Sequence, residues 1–549
     1  MIAAAQWNIA DVWEQLAARR AEQTAFCHGS FELSWAGWSQ RADALAAHLV
    51  AAGLERQSKV AQYCRNRPEY LEAVFACFKA GLVPVNTNYR YGDDELVYLF
   101  EDSDTEAVVF EAEFTESCAR IRDRLPRVRS WIRMGQSSSC PSWAESYSEI
   151  VSRPVSPGFV APWGRSGDDL LLLYTGGTTG MPKGVMWPQH DFFLMLEKQY
   201  GRTPPSRPSQ EYLERGQEEG PRVLPGPPLM HGTACWFAMA ALSAGGSVVT
   251  LPSRSFDPVE LLDTVVGRGV KGVCIVGDPF ARPLLTELEA APRRWDLSGV
   301  RLLMSSGAML SRNSKERLLE HFRQARLVDG LGSSESGSLG SAVSTRGAPV
   351  ATARFTLGPT VRVIDGEGHD VVPGSGATGR LAIGGHLPLG YYKDARKTAE
   401  TFLELEGHRY VVAGDWARVE SDGTVTLLGR GSGCINTAGE KVYPEEVEEV
   451  LKEAAAVADA AVVGVPDEVF GEAVVALVAL KEKEELDEAG LVSHVKRHLA
   501  AYKAPKRVLA VETVRRHANG KLDYQGMRQL ALSRLGAAQS SAGTSEPAL

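Results

Sequence analysis

No two of the eight cysteines, at 27, 64, 77, 118, 140, 235, 274 and 434, are spaced as Cys-x-x-Cys. That spacing is what thioredoxin-like redox motifs and most zinc ribbons require, so neither is expected. Most of the cysteines sit in apolar runs such as Phe75-Ala76-Cys77-Phe78 and read as small buried hydrophobes. A reducing, cytoplasmic setting is the natural expectation. The N-terminal stretch Met1–Trp7 contains no basic residue, and no secretory signal is expected from it. Excess positive charge is also missing: 59 Lys and Arg stand against 68 Asp and Glu, a net charge of −9, which argues against a nucleic-acid-binding surface. One long stretch, Val223 to Ser253, carries no charge when His231 is neutral. Pro, Gly and His interrupt it, and Gly245-Gly246 breaks it, so it reads as a buried helix followed by a strand and not as a membrane span.

With 549 residues, 44% of them hydrophobic and 23% charged, the chain has the composition of a globular protein too long for one core. At least two domains are expected. Strand, helix and strand alternate through the first third. Lys59–Cys64 reads as a strand, Pro68–Ala80 as a helix with Pro in its first turn and Gly81 just past its end, and Val83–Val85 as a second strand. Asp93–Glu101 reads as a helix and Ala107–Phe110 as a third strand. That alternation predicts an α/β fold with a parallel sheet and right-handed crossovers. Residues 135–168, rich in Ser, Pro and Gly, read as surface. Gly201–Arg222 reads as a mobile insertion.

The informative stretch is Leu170-Leu171-Leu172-Leu173-Tyr174-Thr175-Gly176-Gly177-Thr178-Thr179-Gly180-Met181-Pro182-Lys183-Gly184. A buried strand runs into glycines that let backbone N–H groups approach a polyanion, with threonine hydroxyls as added donors and Lys183 as a cation. This is a phosphate cradle. It is not a Walker A loop, since Lys183 follows Pro182 and precedes Gly184, with no hydroxyl beside it. A second glycine-rich run, Val328-Asp329-Gly330-Leu331-Gly332-Ser333-Ser334-Glu335, fails the dinucleotide fingerprint because Glu335 stands where a third Gly is needed.

These residues resemble the signature segments of the adenylate-forming enzymes, the superfamily of acyl-CoA synthetases and adenylation domains. The 175–184 loop is similar to their Thr-Ser-Gly-Thr-Thr-Gly-x-Pro-Lys-Gly loop, with Gly177 where Ser or Thr is common. Within that loop the ATP-binding residues implied are Thr175, Gly176, Gly177, Thr178, Thr179, Gly180 and Lys183, for the β- and γ-phosphates. Ser306-Gly307-Ala308-Met309 is similar to the adenine segment. Asp329 to Ser334 is similar to the Tyr-Gly-x-Thr-Glu region, with Leu331 at the place of an adenine-stacking Tyr. Glu335 is the implied magnesium ligand, with Thr178, since hard carboxylate oxygen suits a cation bridging phosphates. Asp415 matches the Asp that accepts from ribose hydroxyls, and Arg430 the arginine near the ribose or α-phosphate. His231 lines the implied carboxylate site, with Trp236 and Phe237 as wall of an acyl pocket or as plain core, two readings left open. Lys521, after Gly520, matches the catalytic lysine near the C-terminus. Ala438 and Gly439 are the implied approach to the arm of coenzyme A. Ser432 and Asn436 depart from charged residues common at the hinge.

The resemblance implies a large AMP-binding domain over 1–430 of parallel and mixed sheets with flanking helices. A small mobile α+β domain over 431–535, carrying Lys521, and a disordered tail over 536–549 complete the chain. In the small domain Glu445–Lys452 and Leu491–Leu499 read as helices, and Ala458–Gly464, Ala473–Leu480 and Arg507–Val511 as strands. The activity implied is an ATP-dependent acyl-CoA synthetase using Mg²⁺ and coenzyme A on a fatty or bulky hydrophobic carboxylic acid. Acylation of a carrier protein and non-catalytic nucleotide binding are the alternatives. Nothing in the residues decides between a monomer and a homodimer.

Overall fold

The computed structural model describes residues 6–177, 180–209, 212, 220–430, 435–437, 440–467, 471–499, 501–516 and 522–542. Thr178, Thr179, Ala438, Gly439 and Lys521 therefore lie outside the described residues. The chain is a mixed α/β protein in two compact units. The first takes residues 1–306, 313–349 and 383–411, and the second takes 307–312, 350–382 and 412–549. The second unit thus draws in two earlier segments in addition to the C-terminal region.

In the first unit an eight-stranded sheet runs in the order Gly390–Tyr391, Gly180–Pro188, Leu170–Gly177, Val83–Asn86, Lys59–Tyr63, Thr105–Glu111, Ser130–Met134, Glu145–Ser146. Pairing is parallel from Leu170–Gly177 to the last strand and antiparallel on the other side. Parallel strands here are buried on both faces: every residue of Val83–Asn86 and of Ser130–Met134 is buried. The expected helix over Pro68–Ala80 is present, with Gly81 at φ 63° as its left-handed cap. Trp13, Trp38 and the helix residue Phe75 pack together with ring centroids 4.5–5.3 Å apart, Trp13 edge-on to Phe75 and the other two pairs tilted. A second sheet in the same unit orders Phe31–Ser34, Thr24–His28, Ser247–Thr250, Arg222–Pro225, Gly272–Ile275, Leu302–Ser306, Arg326–Ser333 and Gly337–Ser344. The uncharged stretch contributes two of these strands and, between them, the buried helix Gly232–Ser243. Among the described residues no helix is long and apolar enough to cross a membrane.

Two expectations need correction. Residues 135–168 are not all surface: Tyr147–Val151 forms a short helix whose Tyr147, Ile150 and Val151 are buried, and the Tyr147 hydroxyl bonds the buried Glu72 carboxylate. Ser, Pro and Gly around it masked three apolar residues at helical spacing. The segment 536–549 is not disordered from its start, because the helix Tyr524–Ala542 runs through 536–542. Ala537 and Ala538 are strong helix formers and extend a helix already nucleated. Of the insertion expected at 201–222, residues 210–211 and 213–219 lie outside the described residues, while the Pro205 carbonyl accepts from the Trp7 indole.

The second unit contains the antiparallel strands Asp415–Val419 and Val425–Arg430. It also contains a five-stranded sheet built on Val457–Asp467 and Gly471–Leu480, with Arg507–Val511 parallel to the latter. Helices Pro444–Glu453 and Glu488–His498 cover one face of that sheet through Val447, Leu451, Leu491 and Val495.

Candidate active site

The phosphate-cradle sequence forms a β-hairpin. Strand Leu170–Gly177 returns antiparallel as Gly180–Pro188, with Thr175 opposite Lys183 and Gly177 opposite Gly180. A Walker A loop opens a helix; here the described parts of the motif, up to Gly177 and from Gly180, are paired strands. Tyr174 explains the last glycine of the motif. A Cβ on Gly184 would lie 2.6 Å from the Tyr174 ring, so only Gly fits beneath it. The Tyr174 hydroxyl donates to Asp102 at 2.6 Å, and burial, then that carboxylate, pushes its phenol well up. Lys183 is half-buried and ion-paired with Asp394. The Lys183 ammonium, followed by the Lys397 backbone N–H, holds the Asp394 carboxyl below the usual range.

A third strand ties this hairpin to Glu335. Gly390–Tyr391 pairs with Gly180–Pro188, Gly390 opposite Met186 and Tyr391 opposite Val185. That register sends the Tyr391 hydroxyl to Glu335 Oε1 at 2.8 Å. The Trp187 indole donates to the Ser334 carbonyl at 2.9 Å. Glu335 sits in the turn between Arg326–Ser333 and Gly337–Ser344, closed by the Ser333 N–H donating to Ser336 Oγ at 3.0 Å. The residues from Asp329 to Ser333 are strand, not turn. Asp329 is buried with its carboxylate 2.9 Å from the buried Lys315 ammonium, Gly330 lies opposite Ser306, and Leu331 is buried.

The segment before His231 is held by two asparagines. Asn66 donates to the Pro227 carbonyl at 2.8 Å and accepts from the Leu229 N–H at 2.6 Å. Asn86 donates to the carbonyls of Tyr174 and Met230, both at 2.8 Å, and accepts from the Tyr174 N–H at 2.6 Å. The same buried amide thus fixes the entry to the cradle and the residue before His231. His231, half-buried, is the N-cap of Gly232–Ser243. Trp236 and Phe237 are both buried. Trp236 meets Trp187 and Phe192 edge-on at 6.4 and 5.7 Å, and Phe237 lies 6.3 Å from Tyr200.

In the second unit Asp415 and Arg430 are direct cross-strand neighbours on the adjacent antiparallel strands Asp415–Val419 and Val425–Arg430. Asp415 is 8% exposed. Gly307, Ala308 and Met309 belong to this unit as well. An isolated bridge between Arg516 and Leu522 closes the two ends of the segment that carries Lys521.

Sequence reasoning missed Asn66, Asn86, Asp394 and the contact of Tyr391 with Glu335. Asn86 alone left a signal, a polar residue ending the apolar run Val83-Pro84-Val85. The partners of the others are set by tertiary packing between segments far apart in sequence.

The AMP-binding enzyme family matches residues 13–392, and the AMP-binding enzyme C-terminal domain matches 446–521. A medium/long-chain-fatty-acid–CoA/3-oxocholest-4-en-26-oate–CoA ligase of Mycolicibacterium smegmatis is 38% identical over 96% of this chain and 97% of its own. A 3-oxocholest-4-en-26-oate–CoA ligase of Rhodococcus rhodochrous is likewise 38% identical, over 94% and 95%. The crystal structure of the anthranilate CoA ligase AuaEII in complex with anthranoyl-AMP has the same fold, with a TM-score of 0.83 at 22% identity over 97% of this chain and 98% of that one. The chain belongs to the AMP-binding enzyme family.

Proposed function

We propose that this acyl-CoA ligase activates a hydrophobic carboxylic acid, a medium- or long-chain fatty acid or a steroid side-chain acid. The observation that carries the substrate class is 38% identity, along nearly the whole chain, to a ligase named for both kinds of acid. The buried, charge-free stretch holding Trp236 and Phe237 supports the same reading. In the first half-reaction a carboxylate oxygen attacks the α-phosphorus of ATP, and pyrophosphate leaves with the electron pair of the broken P–O bond. In the second, the coenzyme A thiol attacks the acyl carbon, AMP leaves, and the thiol proton is released.

The roles are those the family resemblance implies, and donor chemistry is compatible with them. Thr175, Gly176, Gly177, Thr178, Thr179, Gly180 and Lys183 hold the β- and γ-phosphates, Lys183 exchanging the Asp394 carboxylate for phosphate oxygen. Glu335, with Thr178, would hold Mg²⁺. A carboxylate accepting one hydrogen bond from Tyr391 keeps lone pairs for a hard cation, so the residue fits the ion. Magnesium bound there would supply charge neutralisation on the phosphates. By the same resemblance Gly307, Ala308 and Met309, and residues Asp329 to Ser334, are the adenine segments, Asp415 and Arg430 take the ribose, and His231, Trp236 and Phe237 line the acid. Ala438 and Gly439 flank coenzyme A. Lys521 stabilises the negative charge that develops between carboxylate and α-phosphate.

Pyrophosphate release over a panel of fatty, steroidal and aromatic acids, with and without coenzyme A, tests the proposal. Release confined to the hydrophobic acids, with thioester appearing only when coenzyme A is present, is expected. Release with aromatic acids alone, or none with any acid, overturns it. Lys521→Ala is expected to lose pyrophosphate release and to keep thioester formation from pre-made acyl-adenylate. Equal loss of both half-reactions would remove Lys521 from its role.

A further inference from the structure

We propose that Glu453, His494 and His498 form a binding site for a divalent transition metal of the zinc class, in the second unit and independent of nucleotide. Among the described residues this is the one group of three His, Cys, Asp or Glu side chains whose ligand atoms all lie within 4.8 Å of one another. It shares no residue with the candidate active site.

The placement is rigid where it needs to be. His494 and His498 are four residues apart on helix Glu488–His498, so their side chains share one face a turn apart, and their rings lie 4.5 Å centre to centre. Glu453 is the last residue of helix Pro444–Glu453. Both helices are seated on the same sheet by Val447, Leu451, Leu491 and Val495, all buried. The site therefore joins two elements whose separation the core already sets.

The hydrogen bonds fix the protons. His494 Nε2 lies 3.0 Å from the Val450 carbonyl, and His498 Nδ1 lies 2.8 Å from the His494 carbonyl. A carbonyl only accepts, so each of these nitrogens donates. In the neutral rings His494 Nδ1 and His498 Nε2 then carry lone pairs. A ring nitrogen tied to a backbone carbonyl is the outer support that metal-ligating histidines ordinarily have. An i,i+4 histidine pair that merely covers a helix has no need of a carboxylate reaching it from a second helix.

Two imidazoles and a carboxylate suit zinc and its neighbours, whereas magnesium and calcium take all-oxygen shells. Metal–ligand bonds of about 2.0–2.2 Å bring tetrahedral ligands to about 3.3 Å from each other. Rotation of the exposed Glu453 side chain, with a small tilt of the His498 ring about its Nδ1 hydrogen bond, closes the remaining gap, and open positions are left for water. Binding would pin the two helices together and raise the stability of the folded unit by mass action.

The test uses the full chain, purified without a histidine tag and treated with chelator, titrated with Zn²⁺ by calorimetry in the absence of nucleotide. One zinc per chain is expected. Loss of outer-shell support alone costs about 10–100-fold in metal affinity, so His498→Ala and Glu453→Gln should each weaken binding at least about tenfold. Both side chains are exposed, and the variants should melt like the wild type in chelator. Added Zn²⁺ should raise the melting temperature of the wild type and not of His498→Ala. Co²⁺ in place of Zn²⁺ should give visible bands that are lost in His498→Ala. Binding no tighter than about 1 mM, or equal affinity in wild type and both variants, overturns the site.

Discussion

Replacing Asn86 by Ala should damage stability and catalysis through one buried amide. Asn86 ends strand Val83–Asn86 at the point where its pairing with Leu170–Gly177, marked by Val85 opposite Leu172, gives out. Its side chain continues that pairing as an extra peptide group would, donating to the Tyr174 carbonyl and accepting from the Tyr174 N–H, with its second N–H on the Met230 carbonyl. The alanine variant leaves one N–H and two carbonyls without these partners. At about 1 kcal/mol net per hydrogen bond, and up to about 3 for a buried group left unsatisfied, the loss is about 3 kcal/mol. Unfolding entropy of about 2.1 cal/mol/K per residue over the first unit turns that into a fall in Tm of about 4 °C. Catalysis suffers separately, because Thr175 follows Tyr174 and His231 follows Met230. Pyrophosphate release measured well below the new Tm should lose at least about tenfold in kcat/KM. Asn86→Asp keeps the shape but loses both donors, and should do no better. A kcat/KM within about twofold of wild type, with a stability change under about 1 kcal/mol, would refute the reasoning.

Gly184→Ala puts a methyl 2.6 Å from the Tyr174 ring, an overpacking that costs about 1–3 kcal/mol and should lower ATP turnover. Denaturant melts should show Gly184→Ala/Tyr174→Ala to be less destabilised than the two single changes summed, and full additivity would mean the ring is not the obstacle. Glu448 gives a pH prediction. Burial first, then repulsion from Glu445, raises its carboxyl from 4.5 to about 8 against Lys452 and the Val462 N–H. The folded chain then keeps a proton that the unfolded chain has released, so this contribution to stability is complete below pH 4.5 and is lost as pH climbs through 8. Thermal melts across that window should show a decline that Glu448→Gln flattens, and parallel profiles would contradict the assignment.

The sequence alone determined the elements with strong local signals. Pro68–Ala80 appears as a helix with the residue limits its first-turn proline and closing Gly81 dictate, and Arg507–Val511 as a strand. Short-range sterics set those limits, and no distant contact was needed. The 175–184 loop stood out by its residue types, glycines and threonines with a cation after an apolar run, whereas Glu335, Asp415 and Arg430 were singled out only by their resemblance to family motifs. Only the tertiary structure decided what those residues face. It made the cradle a hairpin, paired Lys183 with Asp394, set Tyr391 on Glu335 and buried Asp329 against Lys315. Such partners, Lys183 and Asp394 being 211 residues apart, meet only where sheet register and helix packing bring them together, and a register shift of one residue turns every side chain of a strand to the other face. Local sequence does not encode that choice; the packing of the whole sheet does.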